Sequence, residues 1–198
     1  MLRNYSIMPK IYTYNGDKGQ TNLFLGGTIS KSDLRVETYG TVDEVVSSLG
    51  FAKTQCKTKE VIDILEILQN SLFIVGAELS ANQDSSSKNE KVDQLINTIE
   101  SKNIKELEAL IDSISKRIDL GNEFILPGTS SGSSSIDITR TIVRRLERLV
   151  VRLNEKIALR NKYILIFINR MSDLLFVLAR LEDKDKKTQR VRGVRKSK

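Results

Sequence analysis

Beyond residue 40, apolar residues recur at helical spacing along most of the chain. In VDEVVSSLGFAKTQ, Val42, Val45, Val46, Leu49 and Phe51 share one face, which predicts a first helix. Thr41 is its expected N-cap, with Glu44 three residues on as the second half of a capping box. A second helix is expected from Lys59 to Leu79, with Val61, Ile64, Leu65, Leu68, Leu72, Val75 and Leu79 as its buried stripe. The polar run ANQDSSSKNE follows as a loop. Residues 90–119 read as one long helix or two shorter ones, with Ser101–Asn103 as the break. GNEFILPGTSSGSSS is extended and rich in glycine and serine, and its Pro127 forbids a continuing helix. Further helices are expected over Ser134–Ala158 and Tyr163–Glu182. Residues 10–40 differ from the rest: they hold five of the eleven glycines and form an irregular, polar segment. The pattern predicts an all-α helical bundle with a glycine-containing N-terminal segment, one domain over residues 1–183, and a separate tail over 184–198.

The 198 residues suffice for one sizeable core, and 39% hydrophobic with 29% charged content describes an ordinary soluble domain. The net charge of +7 suggests a nucleic-acid partner until it is located. From Lys184 onward the tail carries eight basic residues and one acid, Asp185, so the rest of the chain is balanced. Such a tail is expected to be solvated and disordered rather than a specific nucleic-acid reader. A single cysteine, Cys56, rules out an internal disulfide and suits the cytoplasm. Met1–Lys10 lacks the apolar stretch of a secretory signal. Tyr163–Leu181 is interrupted by Asn169, Arg170, Asp173 and Arg180, as a buried helix would be and a membrane span would not. No histidine occurs, which removes the usual general base and the commonest transition-metal ligand.

Four segments carry polar groups that a helical bundle does not need. The first is YTYNGDKGQTNLFLGG, where Gly16 and Gly19 with Thr13 and Thr21 suit a loop wrapping a polyphosphate. The GK[ST] ending of a Walker A loop is absent, and a plain turn between short strands would show the same spacing. Lys31 follows as a cation able to close over phosphates, or as an ordinary surface lysine. The second segment is TRTIVRRLER. With Arg140 at zero and about 100° per residue, Arg144 falls near 40°, Arg148 near 80° and Arg145 near 140°. Ile142, Val143, Leu146, Leu149, Val150 and Leu153 cover roughly 180–300° of the same wheel. One face is therefore built for a core and the other is dense with guanidinium groups, which pair bidentately with phosphate oxygens. Glu147 lies near 340°, at the margin, placed to orient a guanidinium or hold a metal ion through water. A salt-bridge network between helices or subunits is the alternative for this face. The third segment is FINRMSDLLFVLAR, whose Asn169, Arg170, Ser172 and Asp173 must either hydrogen-bond within the core or line a site. The fourth is EFILPG, where Phe124 begins an apolar run.

Taken together and in this order, KIYTYNGDKGQT, SKSDLRVETYGTVDE, FILPG, TRTIVRRLER and FINRMSDLLFVLAR resemble the PduO-type cob(I)alamin adenosyltransferases. The resemblance covers about residues 10–80 and 123–182. It implies a homotrimer of five-helix bundles with ATP bound between adjacent subunits. Thr13, Tyr14, Asn15, Gly16, Thr21, Asn22 and Lys31 would wrap the triphosphate. Arg140, Arg144, Arg145, Glu147 and Arg148 would complete the site from the neighbouring subunit, with Asn169 contacting the nucleotide. Arg140, Arg144 and Asp43 are the expected catalytic set, Asp43 pairing with Arg140 across the subunit boundary. Phe124 would occupy the lower face of the corrin. Mg²⁺ is expected with the ATP phosphates, and cobalamin as substrate. A cobalamin reductase and an adenosylcobalamin-dependent enzyme are the further partners implied, with no membrane.

Two positions depart from the family pattern. Where members commonly carry His-Val-Ala-Arg, this chain has Asp137, Ile138, Thr139 and Arg140, and Asp137 falls near 60° on the arginine side. The usual LPGG becomes Leu126-Pro127-Gly128-Thr129, expected to stiffen the loop beside the corrin. The competing reading is a non-catalytic nucleotide- or cobalamin-binding module.

Overall fold

The structure is a computed structural model and describes residues 12, 14, 16–24, 26–81, 96–121, 123–187 and 189–195. Five helices dominate these residues: α1 (Leu34–Gln55), α2 (Lys59–Ser80), α3 (Ser101–Ser115), α4 (Ser131–Ile157) and α5 (Tyr163–Glu182). Four short strands form two antiparallel ribbons, β1 (Gln20–Asn22) with β2 (Thr28–Ser30), and β3 (Glu123–Ile125) with β4 (Arg190–Arg195). The loop expected over residues 81–90 lies, after Ala81, outside the described residues.

Most helices begin and end where their side chains can satisfy backbone groups. Ser130 caps α4 and forms a reciprocal box with Ser133, while Ala158 closes it in the left-handed conformation at φ 49°. Glu100 and Asn103 make the corresponding box for α3, so helix begins at Ser101, where a break was expected. Two turns of α1 escape the apolar pattern. It starts at Leu34, not Val42, and its N-cap is Asp33, whose carboxylate accepts the Arg35 backbone N–H at 2.8 Å. That hydrogen bond, aided by Lys156, holds the Asp33 carboxyl below its ordinary range. Thr41 is an interior residue that donates to the Glu37 carbonyl at 2.8 Å. The early turns bury Arg35 and Thr38 where a hydrophobic stripe would ordinarily lie, so periodicity gives no sign of them.

α1 runs antiparallel to α4. Asp33 meets Lys156, Ser48 meets Thr139 at 2.7 Å, and Glu44 meets Arg145. α5 is antiparallel to α4 in turn, with Asn169 at Glu147 and Arg180 at Asp137. The core between them is continuous and includes Leu49, Leu65, Leu72, Leu146, Leu153, Phe167, Ile168 and Met171.

Two buried carboxylates tie the loops to this frame. Glu182 accepts the backbone N–H groups of Lys57 (2.7 Å) and Thr58 (3.1 Å) ahead of α2, an anion at a helix N-terminus. Burial together with the charges of Glu182 and Asp183 pushes the neighbouring Cys56 thiol up to about 12. Glu78 accepts the Ile99 N–H and the Asn161 side-chain amide, both at 2.7 Å, joining α2 to the approach to α3 and to the α4–α5 turn.

The C-terminal tail differs from expectation. Arg190–Arg195 pairs with β3, with Ile125 opposite Arg190 and the Leu126 N–H donating to the Gln189 carbonyl at 2.9 Å. The Arg190 guanidinium donates to the Leu120 carbonyl at 2.7 Å. β3 offers an unpaired edge, and the tail satisfies it despite its charge.

Burial raises the Glu78 carboxyl above its ordinary value of 4.5, against the pull of its Asn161 and Ile99 partners. The folded state then holds this proton more tightly than the unfolded state. Its contribution to stability is greatest below 4.5 and declines as pH rises through the folded value. The melting temperature of the parent, relative to Glu78→Gln, should fall across that window; a difference independent of pH would contradict the assignment.

Candidate functional site

The arginine helix exposes its charge as its wheel predicts. Val143, Leu146, Leu149, Val150 and Leu153 are buried, and Arg144, Arg145 and Arg148 are exposed. Arg145 forms an ion pair with Glu44 of α1. Arg144 and Arg148 have no hydrogen bond or ion pair among the described residues. Their charges are held close on one face with no internal counter-ion, which favours binding an external anion.

Arg140 is different, and half-buried. Its Nε lies 3.3 Å from Asp137 Oδ1, and its guanidinium carbon is 6.0 Å from the Phe176 ring centroid. Asp137 is not an acid on the anion-binding face: it is 4% exposed. Its second oxygen pairs with Arg180 of α5, itself 5.1 Å over the same Phe176 ring. The end of α5 covers this end of α4, so a position that the wheel assigns to solvent is buried there. Asp43 makes no contact with Arg140 within the chain; it lines a pocket between α1 and α2.

On the α5 side, Glu147 Oε1 accepts the Asn169 amide at 2.7 Å. Asn169 Oδ1 accepts from Arg170 at 3.1 Å, and Arg170 Nε donates to Glu108 of α3 at 2.8 Å. The chain Glu108–Arg170–Asn169–Glu147 fixes both the amide and the carboxylate before any ligand arrives. Ser172 is buried within α5, while Asp173 lies 3.9 Å from Arg170.

The N-terminal segment forms a turn followed by the β1–β2 hairpin. Gly19 donates to the Gly16 carbonyl at 3.2 Å, and the Lys31 N–H donates to the Gly19 carbonyl at 2.8 Å. The Lys31 ammonium lies over Gly16 so closely that a Cβ there would sit 2.8 Å from Nζ. Gly16 thus brings a cation down onto the loop. Tyr14 takes a left-handed φ of 62° and stands exposed. Asn22 accepts from Thr28 across the hairpin at 3.2 Å. Thr13 and Asn15 lie outside the described residues. Beneath the hairpin a cavity of about 470 Å³ is lined by Thr21, Asn22, Phe24, Tyr39, Asp43 and Phe73, among others.

Phe124 projects from β3, 47% exposed, beside the exposed Leu126. Gly128 takes φ 116°, so the left-handed step of the LPGT turn falls on glycine and Thr129 needs no such freedom. Among the described residues, no three His, Cys, Asp or Glu side chains gather into a metal site.

Four contributors escaped the sequence: Glu44, Glu108, Phe176 and Arg180. Glu44 has the spacing of a capping box, Arg180 shows only as a charge within an apolar helix, and Glu108 and Phe176 carry no local signal, because the partners come from other helices.

Residues 11–182 match the Cobalamin adenosyltransferase family. A corrinoid adenosyltransferase from Citrobacter freundii is 39% identical over 176 residues, spanning 89% of this chain and 96% of that protein. The PduO corrinoid adenosyltransferase of the same organism is 39% identical over 175 residues, 88% of this chain; the match spans half of that longer protein. A variant PduO-type ATP:corrinoid adenosyltransferase from Lactobacillus reuteri, solved in complex with cobalamin and ATP, superposes with a TM-score of 0.84 at 34% identity, covering 93% of this chain and all of that one.

Asp137 and Arg180 are each 5% exposed at their side chains, so removing Asp137 leaves Arg180 buried and uncompensated. Asp137→Ala should lower unfolding free energy by about 3 kcal/mol in urea titration. A loss below about 1 kcal/mol would mean that solvent reaches Arg180 freely.

Proposed function

The chain belongs to the cobalamin adenosyltransferase family, and on that premise we propose that it transfers the 5′-deoxyadenosyl group of ATP to the cobalt of cob(I)alamin. The products are adenosylcobalamin and inorganic triphosphate. The observation that carries this reading is the pair of guanidiniums, Arg144 and Arg148, with no partner among the described residues, beside a carboxylate and an amide already bonded to each other.

The chemistry suits a chain without histidine. Cob(I)alamin is a strong nucleophile: its cobalt attacks C5′, a Co–C bond forms, and the C5′–O bond breaks with its electron pair leaving on the triphosphate. No proton is abstracted, so no general base is needed. The protein's task is to align C5′ with cobalt and to stabilise charge on the departing oxygen. Arg144, Arg145 and Arg148 supply that stabilisation, with Asn169 and Glu147 orienting the nucleotide. A Mg²⁺ brought by the ATP phosphates would find Glu147 as a carboxylate ligand through water, since no metal-binding cluster occurs among the described residues. Phe124 presents an apolar ring to the lower corrin face, displacing the axial ligand and easing reduction to Co(I).

The second half of the site comes from another copy of the chain. Within one chain the hairpin lines the α1–α2 pocket through Thr21 and Asn22, and Lys31 packs on Gly16 ahead of that hairpin, while Arg144, Arg145 and Arg148 are exposed on α4. A ring of three copies brings the Lys31 loop of one against the arginine face of the next, with Asp43 reaching the neighbour's Arg140. Exposed Phe24, Phe51 and Phe73 supply apolar surface for that contact. No helix among the described residues is long and apolar enough to cross a membrane, and we assign the protein to the cytoplasm.

Anaerobic incubation with ATP and chemically reduced cobalamin should give the absorption spectrum of adenosylcobalamin and equimolar triphosphate; ADP or AMP as the nucleotide product would contradict the reaction. Arg144→Ala should lower kcat/KM by about a hundredfold with circular dichroism and oligomeric state unchanged. Parental kinetics in that variant would remove Arg144 from the site.

A further inference from the structure

A second concentration of positive charge lies away from the arginine face. At the C-terminal end of α5 a cavity of about 390 Å³ is lined by the cations Arg117, Arg180, Lys184, Lys186, Lys187 and Arg190, against two carboxylates, Asp119 and Asp183. Several of these charges are already engaged. Asp183 accepts from Ser130 at 2.6 Å and from Lys186 at 2.9 Å. Arg117 pairs with Glu60 at 2.6 Å, Arg180 with Asp137, and Arg190 with the Leu120 carbonyl. Lys184 and Lys187 are exposed, and their ammonium groups have no hydrogen bond or ion pair among the described residues. The cavity therefore keeps an excess of positive charge that a bound anion would neutralise.

This cavity is not an extension of the triphosphate site. Asp137, which grips Arg180 from α4, precedes Arg144 by seven residues and Arg148 by eleven, about 10 and 16 Å along the helix. It adjoins the β3–β4 ribbon instead. Arg190, on its wall, sits opposite Ile125, the neighbour of Phe124 on β3. If Phe124 displaces the lower ligand of cobalt, the nucleotide tail that supplies that ligand is freed on the Phe124 side. The tail carries a phosphodiester anion, whose charge complements the excess cations of the cavity beside the same ribbon.

We propose that the basic cavity at the end of α5 receives the phosphodiester of the displaced corrinoid nucleotide tail, with Lys184 and Lys187 as the cations that pair with it. This inference rests on the reading of Phe124 given above. It makes the C-terminal segment a specificity element that distinguishes complete corrinoids from the bare ring.

The test is equilibrium titration of the full chain, with ATP present, by cob(II)alamin and by cob(II)inamide, which lacks the nucleotide tail. Lys184→Ala/Lys187→Ala should weaken cob(II)alamin about fivefold at low salt, the size expected of two exposed charge pairs. It should leave cob(II)inamide unchanged, and Lys184→Arg/Lys187→Arg should restore the parental value. Equal effects on both corrinoids, or on neither, would overturn the proposal. So would relief of inhibition by inorganic triphosphate with the two corrinoids still equal, since the cavity would then serve a free phosphate. A parent that binds both corrinoids but forms no adenosylcobalamin would contradict the proposed reaction and leave this inference intact.

Discussion

Like charges fixed on one helix face must be neutralised, and how this chain does so shapes the surrounding structure. Of the four guanidiniums between Arg140 and Arg148 on α4, Arg140 is met by Asp137 and Arg145 by Glu44. Those two pairs also join helices, since Asp137 reaches α5 through Arg180 and Glu44 belongs to α1. Arg144 and Arg148 have no counter-ion among the described residues, on a helix that the core holds in place. An anion binding there meets guanidiniums anchored on one helix face and not yet neutralised by a described residue. Asn169 and Glu147 bond to each other before a nucleotide is present.

The bundle separates the two groups of phosphate-binding candidates. α1 stands between them: its Asp43 side faces the pocket under the hairpin, and its Glu44 side faces the arginines. Adjacent residues on one helix point about 100° apart, so a single copy of α1 serves both half-sites without joining them. Assembly of identical copies around a closed ring is the simplest arrangement that brings unlike surfaces together repeatedly. The proposed nucleotide site and the proposed assembly are thus one hypothesis.

Much of this was legible in the residues. The helix bounds of α2 and α5 follow from strong apolar periodicity and agree to within a residue. The exposed arginines follow from the wheel. Three features did not follow, each for a physical reason. The start of α1 is carried by Asp33 and by buried Arg35 and Thr38, polar residues that periodicity does not count. Asp137 is buried because α5 covers it, a tertiary fact invisible to a wheel drawn for an isolated helix. Arg190–Arg195 pairs with β3 because an edge is available there, whereas composition alone makes the tail a solvated charge run.

The central claim is that one functional site is assembled from two copies of the chain. Lys31→Ala removes a cation from the loop half and Arg144→Ala removes one from the helix half, so each variant alone should be nearly inactive. When the two are co-refolded in equal amounts and assemble at random, about a quarter of the between-copy sites combine an intact loop with an intact arginine face. Adenosyl transfer by the mixture should recover to about a quarter of the parental rate. A mixture no more active than its components would contradict the account, because a site contained within one chain cannot be restored by mixing.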